Sequence, residues 1–330
     1  MKLSLLTPTF NSAGTIERTL RSALAQRWRP LEIVVYDETS RDGTREIVNR
    51  LLAEARETGI ETRFLTAETN SGPVRAWRVP LHAATGDWCS FVWADDVLEP
   101  GFSEAMADGA IRARSAGRKL VFSGGVIEDA HGVIEKYALD AGILSPVEFS
   151  FGIYCRRYSV NQINGVYEAT EARRVFDRHI EIDNPMGFDF SRFPYGNDVG
   201  FLSELADAGS GVEILGAKLV RLVASPASMT KDAMANRLWQ FRWQYTWNLF
   251  RVWSWWADRG VPGARRLQRL GRRRLDLCEA FLPRPNSRTT PGSLLRSAGA
   301  VVDFLVWDWD RTRMPLDAYR RRVAKRLLPR

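Results

Sequence analysis

The sequence of 330 residues contains few cysteines and no long apolar run. Its three cysteines, Cys89, Cys155 and Cys278, are far apart and odd in number, which argues against a disulfide framework or a cysteine-based zinc site and favours a reducing compartment. No apolar stretch reaches the roughly 18 residues that a membrane-spanning helix needs, and the run at 1–6 is too short for the core of a signal peptide. Internal repeats and low-complexity tracts are also absent from the sequence.

Hydrophobic residues, by contrast, are abundant. They make up 45% of the chain, and aromatic residues make up 11%, which is above the range of disordered proteins and sufficient for a substantial core. The net charge of +8 is distributed unevenly, because residues 231–330 have a net charge of +14 and residues 1–230 a net charge of −6. Eight of the twelve tryptophans also lie after residue 231. These shifts predict a boundary near residue 230.

Strand and helix patterns alternate along the first hundred residues. Helical spacing of apolar residues predicts helices at 15–26, 45–57 and 74–84, and β-forming runs predict strands at 3–7, 31–36, 61–65 and 88–93. This order is typical of an α/β fold with a mostly parallel sheet and helices on both faces, in which ligands bind at the carboxyl ends of the strands. Polar clusters follow all four predicted strands, at 7–11, 37–38, 70–72 and 95–96.

Two adjacent carboxylates, Asp95 and Asp96, follow the fourth predicted strand. Their mutual repulsion requires a positive neighbour, and Mg²⁺ or Mn²⁺ is the usual solution, because these ions prefer oxygen ligands and also bind phosphate. For an acidic pair taken alone, a solvated turn is the simpler interpretation. The polar clusters after the other three strands favour the metal site.

Beyond residue 100 the pattern predicts a helix that ends near 114, a strand at 119–122, a helix at 199–208 and one or two strands at 212–223. The segment 133–182 reads as irregular and polar, as expected of a surface that faces a substrate. Asp198 lies at the N-cap or in the first turn of the helix at 199–208, where free N–H groups and the helix dipole stabilise a carboxylate. Helix capping and catalysis are compatible roles for this residue.

The last hundred residues combine aromatic side chains with arginines. The segment 238–256 is rich in aromatic residues and contains interleaved arginines. After it the pattern predicts a basic helix at 265–279, a proline-rich linker at 283–291, a further helix at 293–307 and a basic segment at 319–328. A helical subdomain that covers the sheet is the first interpretation. An anionic membrane surface is the second possible partner, and nucleic acid the third and least favoured.

The order of the motifs resembles that of the family 2 inverting glycosyltransferases of GT-A fold. The resemblance covers residues 1 to about 230, and its four motifs are Thr7-Pro8-Thr9-Phe10-Asn11, the stretch 32–44 around Asp37-Glu38, Asn70-Ser71-Gly72, and Gly86-Asp87 leading to Asp95-Asp96. Each motif is weak alone, but the order and spacing of all four are specific. The resemblance implies a GT-A domain at 1–230, with a nucleotide-sugar half at 1–100 and an acceptor half at 101–230, followed by a basic, Trp-rich helical region at 231–330.

The resemblance also implies roles for the matching positions. Asp96 would bind a divalent metal, with Asp95 near it and near the sugar or ribose, and Asp198 would be the catalytic base. Arg75 or its rival Arg78 would contact the diphosphate. The remaining nucleotide-sugar contacts would come from Thr7, Pro8, Asn11, Asp37, Glu38 and Asn70. The sequence departs from the usual family pattern at Glu38 and Thr39, at Ala94, at Trp77-Arg78 and at Asn197.

The resemblance therefore predicts a metal-dependent inverting enzyme of cell-envelope polysaccharide synthesis. It would use Mn²⁺ or Mg²⁺ and transfer a sugar from a nucleotide-diphospho-sugar to a glycan or lipid-linked acceptor, in the cytoplasm or at the inner membrane face. Two alternatives stay open. Ala94, Glu38 and Asn197 permit a catalytically degenerate sugar-nucleotide-binding protein. A sugar nucleotidyltransferase would need a basic phosphate loop near the first strand, and the loop at 11–14 contains no basic residue.

Overall fold

The computed structural model describes residues 1–55, 58–137, 139–155, 161–224, 233 and 235–282. Within these ranges the strands are β1 (Leu3–Thr9), β2 (Leu31–Asp37), β3 (Glu61–Thr66), β4 (Trp88–Phe91), β5 (Val97–Leu98), β6 (Leu120–Asp129), β7 (Gly132–Tyr137), β8 (Gly142–Leu144), β9 (Gly165–Glu168) and β10 (Val212–Val223). The α-helices are α1 (Ile16–Leu24), α2 (Thr44–Ala55), α3 (Pro73–Ala83), α4 (Phe102–Ser115), α5 (Pro146–Tyr154), α6 (Ala169–Asp177), α7 (Asn197–Ala208), α8 (Leu238–Asp258) and α9 (Ala264–Phe281).

One sheet organises these elements, in the order β3-β2-β1-β4-β9-β6-β10-β5, with β7 beside β6 and β8 beside β10. The strands β3, β2, β1 and β4 are parallel to one another, as are β6 and β10. The other pairs are antiparallel. The parallel sheet predicted for the first hundred residues is confirmed, and the strands that follow make the whole sheet mixed.

Helices cover both faces of the sheet, as predicted. Every residue of β1 and β2 is buried, which is typical of parallel strands covered on both sides. Because successive side chains point to opposite faces, Leu5 lies in a core with α1, α2 and α4, whereas Leu6 lies in a core with α3 and α5 to α8. The carboxyl ends of β1, β2 and β4 are therefore fixed between two packed layers.

The prediction that 133–182 is irregular was wrong, because this segment contains α5, β9 and α6. α5 begins with a capping box in which Ser145 and Glu148 bond each other's backbone N–H groups, and it is buried on several sides. A helix that is apolar nearly all round has no polar face, so its 3.6-residue period is hidden in the sequence. The segment 212–223 forms one strand, β10, with a bulge between Leu215 and Val220.

The aromatic segment after residue 237 forms α8, which packs on the sheet layer. Trp253 and Trp256 are fully buried in the same core as Leu6, consistent with the first interpretation of this region. No helix in the described ranges is long and apolar enough to cross a membrane. The boundary near residue 230 stays a prediction. The predicted linker at 283–291, the helix at 293–307 and the basic segment at 319–328 lie outside the described residues.

Candidate active site

The loops that follow β1 and β2 meet at one edge of the sheet. Thr9 is in register with Asp37. Beyond these residues the Asn11 N–H donates to Ser40 Oγ at 2.7 Å, and Asn11 Oδ1 accepts from the Arg41 N–H at 3.0 Å. The structure thus joins two of the four predicted polar clusters, as expected where parallel strands end together.

The predicted contacts from β1 differ in exposure. Thr7 and Pro8 are buried within the strand, while the Phe10 side chain is 50% exposed at its end. Asn11 adopts a left-handed backbone with φ of 48°, which Asn tolerates better than most residues. Phe10, which belongs to the predicted motif at 7–11, is a further candidate ligand contact because its ring is exposed. An aromatic residue beside an Asn turn is common in sequences, so this pattern alone does not identify a ligand contact.

The acids after β2 have different partners. Asp37 Oδ2 accepts from Arg45 Nε at 2.5 Å and from the Ser40 N–H at 3.1 Å, whereas its buried Oδ1 has no hydrogen-bond partner among the described residues. Glu38 Oε1 accepts from the Ser71 N–H at 2.5 Å and from Ser71 Oγ at 2.6 Å. Glu38 therefore ties a third predicted cluster to this edge.

Asn70 begins that third cluster. Its Oδ1 accepts from the Gly72 N–H at 3.1 Å, which closes a turn before α3. Gly72 has φ of 89°, and a Cβ there would lie 3.3 Å from the Ser191 carbonyl oxygen. The turn therefore needs glycine, and Asn70 has a structural role beside its predicted one.

Asp95 and Asp96 lie in the turn between β4 and β5. Asp96 is 5% exposed, and its Oδ1 accepts from the Val223 N–H at 2.9 Å. Its backbone carbonyl accepts from Thr19 Oγ1 at 2.8 Å, and the Asp95 carbonyl accepts from Arg18 at 3.0 Å. Burial raises the pKa of both carboxyl groups, and the neighbouring Asp95 raises the pKa of Asp96 further.

This acidic pair suits a metal shared with a ligand. The described residues contain no cluster of three or more His, Cys, Asp or Glu side chains able to enclose an ion. Mg²⁺, however, is commonly held by one or two carboxylates together with substrate phosphates and water. A cation would also offset the repulsion and desolvation that raise the two pKa values. The donor set therefore fits a metal–diphosphate complex.

Arg75 and Arg78 lie one turn apart on α3 and line a cavity of about 640 Å³ together with Ser71 and Arg178. Arg75 pairs with Glu181 at 2.8 Å, and Arg78 pairs with Asp177 at 2.7 Å. Exposed ion pairs of this kind are weak and exchange easily for a charged ligand. Both arginines remain candidates for contact with a diphosphate.

Asp198 lies in the first turn of α7. Gly196 occupies the N-cap with φ of 81°, and Asp198 Oδ1 accepts from the Val199 N–H at 2.9 Å. Burial raises the pKa of Asp198 to about 7. Such a carboxylate can accept a proton near neutral pH, which is what a general base requires.

Three aromatic side chains pack together beside the Asp95-Asp96 turn. Trp77 is itself a departure from the family pattern, and Trp93 precedes another, Ala94. Trp93 stacks on Phe91 with ring centroids 5.2 Å apart, and Trp77 lies 4.8 Å from Trp93. Trp93 Nε1 also donates to Asn161. Trp77 thus packs beside the turn that holds Asp95.

Residues 4–130 match the family model described as Glycosyl transferase family 2. The chain is 31% identical over 118 residues to the succinoglycan biosynthesis protein ExoO of Rhizobium meliloti, a match that covers 36% of this chain and 31% of that protein. It is 32% identical over 100 residues to a GalNAc(5)-diNAcBac-PP-undecaprenol beta-1,3-glucosyltransferase of Campylobacter jejuni, covering 30% and 31%. The matches thus span about a third of the length of these curated relatives.

Solved structures resemble most of the chain. The S. aureus TarS structure in complex with UDP-GlcNAc aligns with a TM-score of 0.57 at 17% identity, covering 94% of this chain and 83% of that one. The mannosyltransferase PcManGT of Pyrobaculum calidifontis, in complex with GDP-Man and Mn²⁺, aligns with a TM-score of 0.51 at 15% identity, covering 98% and 79%. At these identities the likeness establishes the fold, which is that of the GT-A glycosyltransferases.

Proposed function

We propose that this chain, whose residues 4–130 match the Glycosyl transferase family 2 model, is an inverting glycosyltransferase that depends on a divalent cation. The donor would be a nucleotide-diphospho-sugar, and the acceptor a hydroxyl group of a glycan or glycolipid. The observation that carries the proposal is the position of both acid pairs, Asp37-Glu38 and Asp95-Asp96. The first pair lies at the carboxyl end of β2 and the second follows β4, both inside the segment that matches the family.

The donor nucleotide would bind at the edge formed by β1 and β2. Phe10 offers an exposed ring for stacking, and Asn11 lies beside it. Asp37 or Glu38 would accept a hydrogen bond from the base, and the unpartnered Oδ1 of Asp37 supports the first of these. Thr7 and Pro8 lie in β1, and Asn70 closes a turn. These three residues would therefore shape the binding edge rather than bond the nucleotide directly.

The diphosphate would lie between Asp95-Asp96 and the arginines of α3. A divalent cation held by these acids, Mn²⁺ or Mg²⁺, would act as a Lewis acid on the leaving diphosphate. Arg75 or Arg78 would donate hydrogen bonds to phosphate oxygens after exchange of its acidic partner. Asp96 would remain ionised once the cation offsets its neighbour's charge.

Asp198 would be the catalytic base. It would take the proton from the acceptor hydroxyl while that oxygen forms a bond to the anomeric carbon. The bond from this carbon to the diphosphate breaks at the same time, and the electron pair leaves with the diphosphate. Attack from the face opposite the leaving group inverts the anomeric configuration, so a covalent enzyme intermediate is not required. A pKa of about 7 supports this role.

The acceptor class is supported by the names of the relatives. One is a succinoglycan biosynthesis protein, and another acts on a diphospho-undecaprenol-linked glycan. A cell-envelope glycan or glycolipid is therefore the acceptor that we propose for this chain.

Release of a nucleoside diphosphate from a panel of nucleotide-sugars, with Mn²⁺ or Mg²⁺, tests the function. We expect release that depends on the cation, and a rise in melting temperature with one donor, since a ligand that binds only the native state stabilises it. Release of pyrophosphate instead would indicate a nucleotidyltransferase. Binding without release in the presence of acceptor extracts would indicate a degenerate binding protein.

The metal assignment has a control acid that lies just before β4. Asp96→Asn should remove cation-dependent turnover, whereas Asp87→Asn should leave it intact, because the Asp87 side chain accepts from the Lys2 N–H at the opposite edge of the sheet. Normal turnover by Asp96→Asn would refute the metal assignment while leaving sugar transfer possible by another arrangement.

We also infer contact with an anionic membrane surface through α9, at the inner membrane face. Arg265, Arg269 and Arg273 repeat every four residues and are all exposed, so they form one basic face. Each arginine near an anionic surface contributes about 1 kcal/mol. A peripheral contact of this kind would bring the site to a lipid-linked acceptor.

Co-sedimentation with phosphatidylglycerol vesicles tests this contact. Arg269→Glu should reduce binding several-fold, and the control Arg114→Glu, an exposed residue of α4 on the other face of the sheet, should not. Equal binding by both variants would exclude α9 as the contact. Salt-dependent binding to nucleic acid in place of vesicles would favour the third interpretation of this region.

A further inference from the structure

The turn that precedes α7 is bonded to α8. Gln244 of α8 is fully buried, and its Nε2 donates to the Phe193 carbonyl at 3.0 Å. Asn248, one turn further along the same face, donates from Nδ2 to the Tyr195 carbonyl at 3.4 Å. Two side chains at i and i+4 thus reach the segment that leads directly to Asp198.

The backbones of the turn and of α8 are also in close contact. Gly196 has φ of 81°, and a Cβ at this position would lie 2.5 Å from the Cα atom of Tyr245. That distance is too short for any side chain, and the neighbouring atom belongs to a helix backbone that cannot move away. The turn therefore packs directly on α8 two residues before Asp198.

Asn197, adjacent to Asp198, completes the connection. It is 2% exposed, its Nδ2 donates to the His179 carbonyl at 3.3 Å, and its Oδ1 accepts from Asn248 at 3.4 Å. His179 in turn bonds Glu204 of α7 at 2.8 Å. The Asn197 side chain is thus part of a buried polar network that joins α7, α8 and the segment after α6.

We propose that Gln244 and Asn248 of α8 are positioning residues that hold Asp198 in its productive place. The proposal rests on the proposed function, in which Asp198 is the base. Both side chains lie more than a hundred residues after the segment that matches the family. A shift of a catalytic group by about 1 Å can reduce the rate roughly 100-fold, so small changes in this turn should reach the reaction.

Asn248→Ala and Gln244→Ala test the proposal against Thr246→Val. Thr246 is equally buried on α8, but its hydroxyl donates to the Arg242 carbonyl within the helix and bonds nothing else among the described residues. We expect kcat to fall between about 10-fold and 100-fold in the first two variants, with the donor KM and the donor dissociation constant unchanged. Thr246→Val should keep the wild-type kcat.

A loss of donor binding that parallels the loss of kcat would overturn the proposal, since it would indicate general disruption. Wild-type kcat in a folded Asn248→Ala or Gln244→Ala variant would overturn it as well. Should Asn248→Ala not fold, Gln244→Ala decides the outcome, because it removes only one bond to the turn.

A double-variant cycle separates this inference from the proposed function. If Asn248 acts through Asp198, Asn248→Ala should have no further effect on the residual transfer of Asp198→Asn. If the losses of the two single variants multiply in the double variant, Asn248 acts independently of Asp198, and the positioning role is refuted. Full activity of Asp198→Asn alone would refute the assignment of the base instead, so the two failures are distinguishable.

Discussion

The turn after β4 and the turn before α7 both contain a carboxylate with a raised pKa, but the causes differ. At Asp96, burial is joined by the charge of Asp95. At Asp198, burial acts without a neighbouring acid, and the pKa rises to about 7. A bound cation would favour the ionised form of both adjacent acids, whereas Asp198, raised by burial alone, would exchange a proton near neutral pH. These differences agree with the proposed roles, which are cation binding at the first turn and proton transfer at the second.

The two turns also differ in how they are held. The Asp96 turn is bonded to α1 and β10 within the sheet layer. The Asp198 turn depends on α8, which comes from the basic, Trp-rich part of the chain. The electropositive C-terminal region is therefore not separable from the proposed chemistry.

The largest expected effect distinguishes the two acids directly. Asp198→Asn should reduce transfer by about 10²-fold to 10⁴-fold while cation-dependent donor binding persists, because a general base contributes that much to the rate. Turnover with saturating donor, together with donor titration, is the measurement. Asp207→Asn at the other end of α7 is the control, and a comparable loss there would indicate damage to the helix.

A stability measurement tests whether α8 unfolds together with the sheet or as an independent unit. Trp253 is fully buried and donates to Ser150 Oγ at 2.7 Å, so Trp253→Ala should cost about 3–5 kcal/mol. Trp255, two residues later, is 41% exposed, and its removal should cost less than about 1 kcal/mol. Urea unfolding should show one transition. A separate transition for α8 would contradict the shared core.

The pH profile sharpens the assignment of the base. Because the pKa of Asp198 is raised to about 7, the base is protonated below this pH, and kcat should fall about tenfold per pH unit there and level off above it. The measurement uses saturating donor and cation at each pH. A rising limb centred near 4, the ordinary range of aspartate, would contradict the role of this residue.

The smallest effect concerns the arginines of α3. Glu181→Gln should release Arg75 and so lower the donor KM. The decrease should be smaller than about five-fold, because an exposed pair contributes about 0.2–1 kcal/mol. Glu171→Gln, whose partner Arg174 lies on the same helix, should not change the donor KM. An increase in the donor KM of Glu181→Gln would argue against Arg75 as a diphosphate contact.

The local pattern of the first hundred residues was sufficient to predict their fold. Strands at 31–36 and 61–65 end within a residue of β2 and β3, because the β-forming run and the polar residue that follows it are neighbours in sequence. The segment 133–182 was not predictable in this way. Its helix α5 is buried on several sides, and β9 pairs with β4 and β6, strands far away in sequence.

The sequence by itself determined the parallel half of the sheet, the order of the acid pairs and the place of Asp198 at the start of a helix. These features depend on periodicity and on neighbouring residues. Only the tertiary structure decided that Asp198 is desolvated, that Asn197 is bonded to Asn248, and that Glu38 bonds Ser71. Burial and long-range bonds depend on which distant segment covers a residue, and a local pattern contains no record of that segment.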